Sequence, residues 1–214
     1  MIQRKKHNMI LPDVYGAGQL FAFSGLDGVT DFQKGIVLRS TSRRYEWLMM
    51  RPEKDVKIKF KNEEVILSAS DMFQTGENKM LALDTYHILI KGEAKISISS
   101  DKFKFLTKGD RTLIGVAKHF KPELIDSAFE KIWEKRLKFL VQVEIFGSTD
   151  ENTVKALRRA WSQLKGQIYS PEGLYKSCWM CTDRWPHANV TLWDTVFQAI
   201  GFRFYSRDLA IDMI

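Results

Sequence analysis

An α+β fold is predicted, with a β-rich N-terminal part and a helical C-terminal part, and two observations predict it. Up to residue 118, short apolar runs recur about every ten residues between turn-forming residues, which is the spacing of an antiparallel sandwich. Beyond Pro122 the apolar residues fall three and four apart, which is the period of an amphipathic helix. The sequence divides accordingly into a β-sandwich domain over 1–118, a linker helix over 119–150 and a helical region over 151–214.

The expected strands are Gln19 to Phe23, Gly35 to Leu38, Trp47 to Met50, Val56 to Phe60, Val65 to Leu67, Tyr86 to Ile90, Ala94 to Ile98, Phe103 to Leu106 and Thr112 to Val116. Val56 to Phe60 and Ala94 to Ile98 alternate apolar and polar residues, as half-buried strands do. Turns are expected at Gly25 to Gly28, Lys61-Asn62, Thr75 to Asn78, Lys91-Gly92 and Lys108 to Asp110, where glycine, asparagine and aspartate cluster.

Proline in its first turn opens the linker helix at Pro122, which carries Leu124, Ile125, Phe129, Ile132, Trp133, Leu137 and Leu140 on its apolar side. A second helix follows Ser148 to Glu151, a capping-box spacing, with Val154, Leu157, Trp161 and Leu164 on one face and Gly166 as its stop. A loop without secondary structure is expected over 167–189, because Pro171-Glu-Gly173 and Trp185-Pro186 resist regular structure. The third helix runs from about Thr191 to Ile200, with Leu192, Trp193, Val196, Phe197 and Ile200 on its buried side and Gly201 as its C-terminal signal. A fourth begins near Ser206 and reaches Ile214 with no stop signal, which suggests a truncated chain.

Hydrophobic residues make up 44% and charged residues 28% of 214, the proportions of an ordinary globular protein. No apolar run approaches the roughly 20 residues that cross a bilayer, and the basic N-terminus lacks a signal-peptide core, so a cytoplasmic protein without a membrane partner is expected. The net charge of +7 is spread over many short clusters that alternate with apolar or acidic residues. That distribution belongs to solvated faces, and no nucleic-acid motif accompanies it, so nucleic acid is not an expected partner. Cys178 and Cys181 form a lone CxxC with only His187 close by in sequence. Two ordinary thiols fit better than a zinc site, which would need two further ligands. No metal and no cofactor is expected.

The chemistry concentrates before and within the third helix. Arg184, Trp185, His187, Trp193, Asp194 and Gln198 combine flat aromatic surfaces with hydrogen-bonding groups within fifteen residues. Sugars need that mixture, because they present C–H faces beside hydroxyls. Each residue also has a plainer role. Thr191-Leu-Trp-Asp194 fits a capping box, Trp193 fits a core position, His187 can bind backbone, and Arg184 can pair with Asp183.

Tyr169-Ser-Pro-Glu-Gly173, Asp183-Arg-Trp-Pro-His187, Leu192-Trp-Asp-Thr-Val-Phe197 and Ala199-Ile-Gly201 together resemble a signature of six-hairpin (α/α)6-barrel glycosidases. The nearest of these are glycoside hydrolase family 63 and the glycogen-debranching amylo-1,6-glucosidases. Upstream, the run Gly16 to Gly28 is similar to the β-supersandwich that precedes the toroid in some members. The resemblance implies a supersandwich, linker helices and the first helices of an incomplete (α/α)6 toroid. It implies a carbohydrate substrate, with Asp194 bonding the sugar next to the cleaved bond and Trp193 and His187 lining the pocket. Thr191, Ala188 and Gln198 depart from the family pattern, which leaves the sugar open. Family members invert with a general acid and base on later toroid helices, so this chain is expected to lack both and to be inactive alone. Its expected partners are the remainder of the toroid or a second copy of itself. The alternative is a non-catalytic carbohydrate-binding or scaffold subunit completed by a second chain.

Overall fold

The computed structural model describes residues 36–38, 56–60, 65–69, 71–84, 86–98, 101, 103–141, 150–166, 168–169, 176–177, 179–180, 190–204 and 207–214. The strands expected at Gln19 to Phe23 and Trp47 to Met50 and the turn at Gly25 to Gly28 lie outside them. The chain is α+β. Among the described residues nine strands come first: β1 Ile36–Leu38, β2 Val56–Lys59, β3 Val65–Ser68, β4 Met72–Thr75, β5 Asn78–Ala82, β6 His87–Lys91, β7 Lys95–Ile98, β8 Phe103–Lys108 and β9 Arg111–Val116. Four helices follow: α1 Phe129–Val141, α2 Glu151–Gly166, α3 Leu192–Phe202 and α4 Arg207–Asp212, with the short strands β10 Ile168–Tyr169 and β11 Trp179–Met180 between α2 and α3.

Six strands form an antiparallel sheet in the order β3-β4-β5-β6-β9-β8, and three form a second sheet in the order β1-β2-β7. The inner strands β4, β5, β6 and β9 of the larger sheet are buried on both faces, and their side chains divide by the strand period of two. Met80, Ala82, Ile88, Ile90, Ile114 and Phe73 point to one side, where they meet Val56 and Ile58 of β2 and Ile96 and Ile98 of β7. Met72, Leu81, Leu89 and Leu113 point to the other, where they meet Ile125, Phe129, Trp133 and Leu140. The smaller sheet and α1 therefore cover opposite faces of the larger one.

Two of the hairpins turn on a glycine that must take positive φ. Gly76 and Gly109 sit in two-residue loops, closed by the Thr75–Asn78 and Lys108–Arg111 pairs. Gly92 has φ of 109° for another reason: Asn78 occupies the space a Cβ would fill, and its Oδ1 accepts a 2.7 Å bond from the Glu93 amide.

Four expectations need correction. The hairpin β4–β5 is absent from the expected strands, although its turn at Thr75 to Asn78 is among the expected turns. The helix expected from Pro122 begins instead as a 3₁₀ turn, Pro122–Asp126, and breaks before α1. Arg111 stabilises the break by donating to the carbonyls of Ile125 and Ser127 at 3.2 and 3.0 Å. The segment between α2 and α3 contains an antiparallel ladder, Ile168 opposite Met180 and Tyr169 opposite Trp179, where a structureless loop was expected. Gly201 does not end α3, which continues to Phe202. Its bare Cα instead lets α3 approach α2, since a Cβ there would stand 2.9 Å from Leu164 Cδ1.

Candidate functional site

The site is built on α2, the β10–β11 ladder, α3 and α4. Ile168, Met180, Ala199, Phe202, Leu209, Ala210 and Met213 bury against one another, with Leu164 at the margin. This small core fixes the last turns of α3 against the end of α2. At the N-terminus of α2, Asp150 Oδ2 accepts a 2.7 Å bond from the Thr153 amide, so Asp150 caps the helix. Ser148 and Thr149 lie outside the described residues.

α3 starts differently. Thr191 takes the N-cap position in an extended conformation but makes no side-chain capping bond. Its carbonyl accepts from the Thr195 amide at 3.0 Å and from Thr195 Oγ1 at 2.8 Å. Its hydroxyl donates to Asp194 Oδ2 at 2.6 Å. The pairing expected of a capping box therefore joins side chain to side chain, and the Asp194 carboxylate is held in place without closing the helix end. Asp194 is half-buried, and Gln198 lies one turn further along the same face. The Oε1 of Gln198 is buried, and none of the described residues donates a hydrogen bond to it.

Trp193 is 71% exposed and meets Phe197 edge-on at 6.1 Å between centroids. Leu192, Val196, Phe197 and Ile200 are exposed with it, and the residues that α3 buries are Thr195, Ala199 and Phe202. The face expected to be buried is thus the face open to solvent. Helical periodicity identifies an apolar stripe, but it does not say whether this chain contains what covers it. The structure brings Trp193, Asp194 and Gln198 together on the first two turns of α3. Arg184, Trp185 and His187 lie outside the described residues, as do Cys178 and Cys181.

Two polar groups were not among the expected site residues. Asp71, between β3 and β4, is buried with Arg136 of α1 and Lys165 of α2. Lys165 Nζ donates to Asp71 Oδ2 at 2.5 Å, and Arg136 Nε lies 3.3 Å from the same oxygen. Burial pushes the Asp71 carboxyl up, but Lys165 and Arg136 together outweigh it and hold the group below its ordinary value. At Lys165 burial wins instead, and the ammonium is held below its ordinary value despite Asp71. Two cations sharing one carboxylate account for the asymmetry. Arg136 follows Phe129 and Trp133 and precedes Leu140 on the buried line of α1, and that placement was the available signal.

The second group is His87, buried in β6. Its Nδ1 lies 2.8 and 3.0 Å from the two carboxylate oxygens of Asp84, and its Nε2 accepts a 3.0 Å bond from the Lys121 amide. Because Nε2 accepts, Nδ1 carries the proton. Burial raises Asp84, but the bonds from His87 and the Tyr86 amide overcome it and leave the carboxyl below its ordinary value. With both ring nitrogens engaged, His87 fastens the chain after β9 to the sheet and has no free nitrogen for proton transfer.

Among the described residues, no three His, Cys, Asp or Glu side chains gather as a metal-binding set, and no helix is long and apolar enough to cross a membrane. Comparison with known proteins finds no matching family model, no matching curated protein and no matching solved structure.

Proposed function

We propose that the chain forms the N-terminal part of a cytoplasmic, inverting α-glucosidase-like hydrolase. On this reading the two sheets are its supersandwich, and α2 and α3 are the first hairpin of an (α/α)6 toroid. The start of α3 contributes to a subsite for an α-glucoside or oligosaccharide. Trp193 offers the flat surface, and Asp194 and Gln198 accept or donate hydrogen bonds, with Arg184, Trp185 and His187 completing the pocket. The observation that carries the reading is the exposed Trp193 beside a carboxylate that is oriented by Thr191 and not used up in capping. An exposed indole next to a positioned carboxylate suits a ligand with both an apolar face and hydroxyls.

Hydrolysis with inversion needs two carboxyls roughly 6.5 to 9.5 Å apart, one to protonate the leaving oxygen and one to activate water. In this proposal later toroid helices supply both, and the chain by itself binds sugar without cleaving it. A second reading, a non-catalytic carbohydrate-binding or scaffold subunit completed by another chain, is favoured by the uncovered face of α3. The test joins this chain to the helices that complete a toroid. Asp194→Ala should then abolish hydrolysis while the unfolding midpoint stays unchanged. Hydrolysis at the undiminished rate would remove Asp194 from the subsite.

A further inference from the structure

The exposed stripe on α3 consists of Trp193, Phe197, Ile200 and Phe204, with Leu192 and Val196 beside it. Steps of four, three and four residues keep the first set on one line. Arg203, the C-cap, keeps helical dihedrals, so Phe204 continues that line. The buried line of Thr195, Ala199 and Phe202 is on the opposite side of the helix.

We infer that this face is where a second copy of the chain binds, α3 against α3 in antiparallel order. The first argument is area. At about 150–250 Å² per whole aromatic side chain, Trp193, Phe197 and Phe204 at their exposures present on the order of 350 Å². Leu192, Val196 and Ile200 bring the face to roughly 500 Å², at the upper end of the largest patch on an ordinary monomer. Two such faces together bury about 1,000 Å², the threshold for a specific interface. Ile211 of α4 and Ile214 beyond it are also exposed.

The second argument is self-complementarity. The spacing four-three-four reads the same in both directions. A two-fold axis midway along the stripe therefore sets Trp193 opposite Phe204 of the other copy and Phe197 opposite Ile200. One patch meeting itself is what a two-fold dimer requires. The third argument is charge. The chain carries +7, yet none of these six side chains is charged. Arg203, which sits over the Phe204 ring at 4.8 Å, falls opposite Asp194 of the other copy in antiparallel order, so two copies meet here without facing like charges. Antiparallel order also puts the amide end of one helix beside the carbonyl end of the other.

This inference concerns the apolar face and does not depend on sugar binding. Pairing would cover Trp193, so sugar and second copy compete, and the test contains no sugar. The full chain is followed by sedimentation velocity over a range of concentrations. A monomer–dimer equilibrium is expected. Phe197→Lys and Ile200→Glu should each weaken it at least tenfold, whereas Ile66→Lys on β3, also an exposed apolar residue, should not. Both α3 positions are solvent-exposed, and unchanged circular dichroism confirms that the variants fold. Mixing Phe197→Lys with Ile200→Glu should restore dimers, because antiparallel order places the new lysine against the new glutamate. A wild-type chain that stays monomeric, association equally sensitive to Ile66→Lys, or a mixture that remains monomeric would each overturn the inference.

Discussion

Asp71, Arg136 and Lys165 show how single residues join parts that the sequence keeps far apart. One carboxylate ties the sheet to α1 and α2, and nothing in its own neighbourhood of the chain marks it. Its two cations lie 65 and 94 residues further on. Asp71→Ala should cost about 3–5 kcal/mol in urea unfolding, because it removes the buried carboxylate that Lys165 and Arg136 share. The same group predicts the acid limb of stability. Asp71 and Asp84 are held below the ordinary carboxyl value in the folded chain. Their contribution is therefore complete above the unfolded value of about 3.9 and is lost as pH falls through the folded values. The denaturation midpoint should drop as pH falls below about 4, and Asp71→Asn should make the drop shallower. A midpoint that holds steady or rises in that range would contradict the ion-pair assignment.

At the scale of elements, legibility followed the apolar pattern. Strands with one polar face, such as β2 and β7, alternate visibly and were readable, and β6 and β9, covered on both faces, were readable as apolar runs. The hairpin β4–β5 was not, because its buried Met72-Phe73 and Met80 to Ala82 are short and lie beside the polar residues Gln74, Thr75, Asn78 and Lys79. A strand covered on both sides shows a continuous apolar run in place of alternation. Turn chemistry was easier to read, since Gly76, Gly92 and Gly109 all lie in segments marked by turn residues. Gly92→Ala is the sharpest check at this scale. It would force positive φ on a residue with a Cβ and displace Asn78 from the Glu93 amide, and it should cost about 2–3 kcal/mol. A loss below half a kcal/mol would mean the turn can relax in some other way.

α3 marks the limit of periodicity. Its apolar stripe was identified correctly by residue and placed on the wrong side of the solvent boundary. The hydrophobic pattern identifies an apolar surface, not what lies against it. Of the six candidate residues, Trp193, Asp194 and Gln198 fall together on α3 because helical spacing fixes which side chains are neighbours. Arg184, Trp185 and His187 lie outside the described residues.

For the whole molecule, a sheet with both faces covered is locked to α1 and α2 by buried charge, and α2 and α3 share a separate small core. The apolar residues of α3 that this core leaves outside form an exposed surface. Burying it should stabilise the chain, so the unfolding midpoint should rise with protein concentration, by mass action on a folded dimer. Ile200→Glu should remove that dependence.

Whether the start of α3 binds a sugar, as we propose, is measured by an NMR titration. Ile200→Glu keeps the face free of a second copy, and the ligand is an α-linked glucose oligosaccharide. The account predicts a saturable shift of the Trp193 indole signal together with the Asp194 and Gln198 amides, and its loss in Trp193→Ala. Signals at α3 that remain in place throughout the titration would contradict it.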